Sequence, residues 1–145
     1  MKPVVHAPGE GDAISIAGAT IDVKVGAPGT NGQFGFIEYT APSGFPGPPA
    51  HVHFEMIEAF YVLEGELTMQ LEDETVAASA GSFVLPPGVR HRFSNPGGTP
   101  ARFLTFFTPG GFEQYFRDLA SLLGAGPPDP AALAQVASRY DLEIV

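Results

Sequence analysis

The stretch from His51 to Gly65, HVHFEMIEAFYVLEG, decides the fold. His51 and His53 stand two residues apart, and in an extended segment side chains two apart point to the same side. Two imidazoles on one face can share one metal ion. Glu55 continues that face. Glu58 lies five residues after His53, a spacing that puts it on the opposite face of an uninterrupted strand. It joins the histidines only if Phe54–Ile57 makes a turn or bulge. Beyond it, Ala59–Leu63 reads as a strand with Phe60 and Val62 on one face. Glu66–Glu72 then alternates, with Leu67, Met69 and Leu71 against Thr68, Gln70 and Glu72. After an acidic tip, Thr75–Ser79 returns as its partner.

Short strands continue on both sides. Upstream, Ile14 and Ile16 alternate with small residues, and Ile21, Val23 and Val25 alternate with Asp22 and Lys24. Gly26–Gly32 is a turn cluster. Gln33–Thr40 carries Phe34 and Phe36 on one face and Ile37 and Tyr39 on the other. Ala41–Pro49 is too rich in proline to run as a central strand. Downstream, Phe83–Leu85, Arg90–Ser94 and Arg102–Thr108 are separated by PPG and NPGG turns. The period changes after Pro109-Gly110. Phe112, Tyr115, Phe116, Leu119, Leu122 and Leu123 fall at helical spacing, with Glu113, Gln114, Arg117, Asp118 and Ser121 on the other face. That predicts a helix over about 110–123. Asp129-Pro130 is an N-cap and N1 pair that opens a second helix, over about 130–140. Both helices are expected on the outside of a β core spanning about 14–108, within one domain, 1–145.

Composition narrows the function classes. The chain has 145 residues, no cysteine, 7 Lys+Arg against 16 Asp+Glu, and a formal charge of −9. Without cysteine, disulfides and thiolate-ligated metals are excluded, so any metal meets N and O donors. The negative charge argues against nucleic acid and anionic membranes as partners. Ala59–Leu63 is too short an apolar run to span a bilayer. Met1–Ala13 has no apolar core of a secretory signal, so the expected location is the cytoplasm. Gly 18 and Pro 15 punctuate short apolar runs in the manner of an all-β sandwich or barrel. Of the four histidines, His6 lies in a loose lead-in, whereas His91 ends the PPG turn, 33 residues after Glu58.

The pattern His51-x-His53-x4-Glu58-x6-Gly65 resembles the first motif of the cupin superfamily. Pro86-x-Gly88-x2-His91-x3-Asn95 resembles most of the second. EAFYVLEGEL, VRHRFSNPG and the ending FLTFFTPGGFEQYFRDL are similar to the small, single-domain, quercetin 2,3-dioxygenase-like members. The likeness runs over roughly Gly32–Leu123. It implies an all-β, jelly-roll barrel (double-stranded β-helix) with a metal inside, held by His51, His53, Glu58 and His91. It favours Glu58 over Glu55, which stays as an alternative ligand or close neighbour. Two departures stand out. Only four residues, Ser82–Leu85, separate Gly81 from Pro86 where the family usually has five, which shifts the strand's alternation unless a bulge absorbs it. Ile57 stands where an acidic residue often precedes the glutamate, which would lower polarity near the site.

Three imidazoles and a carboxylate leave one or two positions open on a six-coordinate divalent ion, one per chain: Fe, Mn, Ni, Co, Zn or Cu. O2 or a bidentate substrate could enter there, with Glu58 as general base. Phe34, Phe36, Phe60, Met69, Phe93 and Phe106 are the expected substrate pocket, with Phe54 and Phe103 also candidates to point inward. Tyr39, Tyr61 and Gln70 are weaker pocket candidates. Arg90 and Arg92 flank His91 on the opposite face and are expected outside. The expected function is a metal-dependent dioxygenase acting on a hydrophobic, aromatic or enolisable, flavonol-like molecule. The alternatives are a cyclase or isomerase of polyketide-type molecules and a non-catalytic small-molecule-binding protein. A homodimer through the strand region Ile14–Val25 is expected, since a free strand edge invites pairing.

Overall fold

Period-two alternation builds two antiparallel sheets whose apolar faces meet. The structure is a computed structural model that describes residues 2–145. Met1, with which the expected lead-in begins, lies outside the described residues. In chain order the elements are β1 (Asp12–Ile16), β2 (Ala19–Val25), α1 (Ala27–Thr30), β3 (Gly35–Ala41), β4 (His51–Val52), β5 (Ile57–Glu64) and β6 (Glu66–Leu71). They continue with β7 (Glu74–Ser79), β8 (Phe83–Val84), β9 (His91–Ser94), β10 (Ala101–Thr108), α2 (Glu113–Gly124), α3 (Pro130–Ala137) and β11 (Glu143–Ile144). One sheet runs β1-β2-β3-β10-β5-β8 and the other β11-β4-β9-β6-β7. This is the expected all-β jelly roll followed by two helices.

The core fills the space between the sheets. Ile21, Ile37, Val62, Leu67, Met69, Phe103 and Phe107 are fully buried, and Phe60 and Phe93 nearly so. Side chains of this size each contribute roughly 1.5–3 kcal/mol when withdrawn from water. On β3 the inward face is the one carrying Ile37 and Tyr39; Phe34 and Phe36 stand on the other, half-buried. Phe34 stacks on Phe106 of β10 at 5.4 Å, outside the barrel.

Two local features correct the sequence reading. The Gly26–Gly32 turn cluster contains the single helical turn α1. The short second motif is absorbed because β8 is only two residues long. Val84 packs against the core while Phe83 and Leu85 face solvent, so the missing residue shortens an edge strand and leaves His91 in place. Gly65, between β5 and β6, has a positive φ of 74°. A Cβ there would also run into the Pro100 carbonyl oxygen, so both backbone conformation and space require glycine.

The helices do more than decorate the outside. α2 packs beside β1 and against α3, and the apolar stripe predicted for it closes over the interior between the sheets. Glu113, expected on the solvated face, is 4 % exposed. Its Oε1 accepts the Ala27 N–H at 2.7 Å and its Oε2 the Gly111 N–H at 2.8 Å, which ties the start of α2 to the start of α1. α3 opens as predicted, with Asp129 Oδ1 accepting the Ala132 N–H at 2.6 Å. It stops at Ala137, short of the predicted end. The chain then turns back and adds β11 beside β4, pairing Glu143 with Val52 and Ile144 with His51. No helix is long and apolar enough to cross a membrane among the described residues.

Candidate metal centre and its cavity

Four buried side chains converge between the sheets. His51 and His91 are direct cross-strand partners on β4 and β9, a pairing that holds their rings 4.5 Å apart, centroid to centroid. His53 follows on the same side two residues later, its ring 5.0 Å from that of His51 and 5.3 Å from that of His91. Glu58 comes from β5 in the opposite sheet. One donor atom from each of the four lies within 4.8 Å of the others.

The spacing problem of Glu58 is solved at the bend. The chain leaves the strand at Phe54-Glu55 and re-enters one at Ile57, so Glu58 turns inward while Glu55 is exposed. Ile57 points outward, 44 % exposed, so its aliphatic side chain leaves the polarity of the interior untouched. Asp141, which nothing in the sequence pattern singled out, holds the bend. Its Oδ1 accepts the Phe54 N–H at 2.9 Å, and its Oδ2 accepts those of Glu55 at 2.7 Å and Met56 at 2.6 Å. Its backbone carbonyl accepts the His53 Nδ1–H at 2.5 Å. The only local hint was a carboxylate just after the second predicted helix.

Each histidine is oriented by a carbonyl, which can only accept. His51 Nδ1 donates to Pro49 O at 2.8 Å and His91 Nδ1 to Val89 O at 2.9 Å; Asp141 does the same for His53. With Nδ1 protonated in all three rings, the neutral tautomer presents an Nε2 lone pair toward the centre. Glu58 Oε2 sits there, 3.1 Å from His53 Nε2 and 3.4 Å from His91 Nε2.

The electrostatics follow from that arrangement. Burial is the largest influence on His51 and draws its pKa down from 6.5 to about 4, so this ring is neutral. Burial pulls His53 the same way, but the hydrogen bond and charge of Glu58, with Asp141, outweigh it and the net pKa is raised. For Glu58 burial pushes up, whereas the His53 and His91 hydrogen bonds bring the value down from 4.5 to about 2. A His53 that donates from Nδ1 to a carbonyl and from Nε2 to a carboxylate carries both protons. Glu58 thus favours the protonated form of His53, a positive charge that a divalent ion would supply instead. Three Nε2 donors and one carboxylate on a hard-to-borderline N/O set fit one divalent transition-metal ion.

His51 and Glu58 open onto a cavity of about 220 Å³. Its walls are apolar: Phe45 and Pro46–Pro49 from the loop before β4, Phe93 from β9, Phe112, Tyr115, Phe116, Leu119 and Leu123 from the start and inner face of α2, and Leu133 and Leu142 from the last segments. Of the expected pocket residues, only Phe93 lines it. Phe60, its ring centre 6.4 Å from that of His91, and Met69, paired with Phe93 across the strands, are core beneath the site. Phe34, Phe36 and Phe106 are on the outer face, beside Glu38 and Arg102, because the inward sets of β3 and β10 are Ile37/Tyr39 and Phe103/Phe107. Phe54 is exposed at the bend, Tyr61 is exposed on β5 and Gln70 is half-buried. Phe103 points inward, and Tyr39 lines the cavity. Arg90 and Arg92 are outside, with Arg92 Nη2 donating to Pro46 O at 2.8 Å. Asn95, the last residue of the second motif, is structural. It shares its Nδ2 hydrogens among the Ala41, Pro42 and Thr99 carbonyls and accepts the Gly97 N–H.

Comparison with known proteins agrees with this geometry. Residues 37–107 match the family model described as a cupin domain. Over 117 residues the chain is 27 % identical to quercetin 2,3-dioxygenase of Bacillus subtilis, covering 81 % of this chain and 34 % of that protein. The chain thus spans about a third of the length of that curated relative. Among solved structures, an RmlC-like cupin from Shewanella frigidimarina superposes with a TM-score of 0.65 at 20 % identity, covering 78 % of this chain and 96 % of the other. The polyketide cyclase RemF from Streptomyces resistomycificus superposes with a TM-score of 0.60 at 26 % identity, covering 74 % and 80 %.

Proposed function

The chain belongs to the cupin superfamily, and from that premise we propose that it is a metal-dependent dioxygenase of a hydrophobic, aromatic or enolisable small molecule. One observation carries the reading. Three imidazoles, each fixed by a carbonyl at Nδ1, and one carboxylate converge on a point that opens into an aromatic-walled cavity. His51, His53, Glu58 and His91 are the residues that would hold the ion. A bound redox-active divalent ion supplies Lewis acidity and a route to O2.

The chain's own groups do the rest. The phenylalanine walls orient a planar molecule and keep water from it. Glu58 is ionised and lies at the cavity wall, where it can take a substrate hydroxyl proton. The two imidazole hydrogen bonds that hold its pKa near 2 depend on Nε2 protons. With the Nε2 atoms turned to an ion those bonds would be lost, and the ion's charge would in their place keep Glu58 ionised, so the carboxylate would act as a base only through an oxygen free of the ion. Both atoms of O2 are incorporated into the substrate.

The likeness to RemF, which covers most of that protein, supports a second reading on the same site: cyclisation or isomerisation of a polyketide-type molecule. Measuring O2 uptake by protein loaded with Fe(II), Mn(II) or Ni(II), against a panel of flavonols and enolisable aromatics, separates the readings. Metal-dependent uptake that disappears in His91→Ala supports the dioxygenase. Background uptake with a cyclised or isomerised product supports the second reading, and tight binding with no product supports a binding protein. We also propose that it works as a homodimer through the Ile14–Val25 region, where β1 forms the edge of its sheet.

A further inference from the structure

Tyr39 lies on β3 in the interior of its sheet, paired with Phe103 on one side and Ile21 on the other. It is 5 % exposed. Its ring is clamped by aromatic neighbours: stacked on Phe103 at 4.9 Å, edge-on to Phe93 at 5.3 Å, and 6.1 Å from Phe45. With two side-chain torsions and three walls, the hydroxyl has a fixed address.

That hydroxyl meets no protein hydrogen-bond partner among the described residues. Tyr140, by contrast, donates to Asp118 Oδ2 at 2.5 Å. Yet no sealed-off side-chain nitrogen or oxygen lacks a partner among the described residues. The Tyr39 oxygen is therefore open to the cavity that its ring lines together with His51 and Glu58. Burial, the nearby Tyr115 and the charge of Glu58 all raise its pKa above the phenol value of 10.0, so it is a donor throughout the neutral range. A withdrawn donor with no acceptor is unfavourable, and what fills the cavity can supply the acceptor.

The cavity's charge inventory points to the class of ligand. No lysine or arginine lines it; its charged or chargeable groups are His51, Glu58 and the phenols of Tyr39 and Tyr115. A free anion would meet a carboxylate and apolar walls. An uncharged ring compound meets aromatic faces and a waiting O–H.

We propose that Tyr39 is a substrate-recognition residue that donates its hydroxyl hydrogen to a carbonyl oxygen on an uncharged ring compound held in the cavity. This rests on reading the cavity as the substrate site.

The test is calorimetric titration of the full chain, metal-free and Zn(II)-loaded, with 1-tetralone and with tetralin, its carbonyl-free analogue. Tetralone is expected to bind 5–10-fold tighter than tetralin, the range of about one hydrogen bond. Tyr39→Phe is expected to remove that advantage while leaving tetralin unchanged. 1-Naphthoate is expected to bind the metal-free chain at least tenfold more weakly than tetralone. In the wild-type chain, the infrared carbonyl stretch of bound tetralone is expected to move to lower frequency than in hydrocarbon solvent, which tests the hydrogen bond even if Tyr39→Phe does not fold. Equal affinity for tetralone and tetralin, equal weakening of both by Tyr39→Phe, tight naphthoate binding, an unshifted stretch, or no binding of any probe would each overturn the proposal. Zinc content, read separately by elemental analysis, is expected to be unchanged in Tyr39→Phe. Absence of zinc from a wild-type chain that still prefers tetralone counts against the metal reading and leaves this one standing.

Discussion

Replacing Asp141 with alanine should loosen the metal site from a distance of 83 residues in sequence from Glu58. The carboxylate accepts three backbone N–H groups, at 2.9, 2.7 and 2.6 Å. Hydrogen bonds to a charged group are each worth roughly 1.5–3 kcal/mol, but the three do not simply add. Phe54 and Glu55 are exposed, so their freed N–H groups reach water; Met56 is 6 % exposed and its N–H would be stranded. The net loss is therefore about 2–4 kcal/mol, or a fall in melting temperature on the order of 5–15 °C for a chain this size. Metal affinity should drop about 10–100-fold, since the bend sets where Glu58 stands relative to His53 and outer supports of metal ligands have effects of that order. Asp141→Asn, which keeps one acceptor oxygen, should fall between. The pH dependence has a definite sign. Burial pushes the Asp141 pKa up, but the three N–H donors and His53 prevail and leave it below 3.8. A carboxylate whose folded pKa is depressed stabilises the fold above its unfolded value and loses that contribution as pH falls through the folded one. The gap between wild type and Asp141→Ala should thus persist at neutral pH and close below pH 3.8. Thermal unfolding followed by circular dichroism, with and without chelator, reads stability, and competition against a chromophoric chelator reads affinity. A variant that melts within a degree of wild type and holds metal equally well would refute the reasoning.

Three further outcomes follow from the same geometry. Glu58→Gln should weaken metal binding strongly while Glu55→Gln leaves it unchanged, because only Glu58 faces the histidines; equal effects in a metal titration would contradict the bend. Metal affinity should rise as pH climbs above 6.5, with protons released on binding, because the His53 pKa is raised above 6.5 and a ligand must shed its proton; calorimetry in buffers of different ionisation enthalpy measures that release. Light scattering should give about twice the 15.2 kDa chain mass if the chains pair, and charged substitutions on the outward side of β1 should return the monomer mass.

Spacing made part of the candidate site legible, an i, i+2 histidine pair and a third histidine at the end of a proline-glycine turn, whereas Glu58 was preferred to Glu55 only through the resemblance to cupins, since its odd offset fits the site only if the chain bends. The cavity was not legible, for a physical reason visible on β3. Phe34 and Phe36 share their face with Glu38 and Thr40, so aromatic and polar signals compete there, while Ile37 and Tyr39 with Gly35 and Ala41 form the inner face. Aromatic content then favoured the wrong face. The walls contributed by Phe45, Phe112 and Tyr115 escaped for another reason. They come from a proline-rich loop and from a helix whose apolar stripe equally suits packing on the outside of a barrel. Asp141 belongs to neither a strand nor a helix, and its role exists only once 88 residues of chain bring its carbonyl to His53.

That return of the chain has a practical side. β4 is two residues long, and one of its two flanks is β11, with the Val145 N–H donating to Ala50 O at 3.0 Å. Any chain continued past Val145 would therefore leave directly beside His51. A cut between α2 and α3 would leave His51, His53, Glu58 and His91 on one fragment and put Asp141 and β11, which brace them, on the other. A preparation that binds metal poorly should be checked first for loss of the segment from α3 to β11.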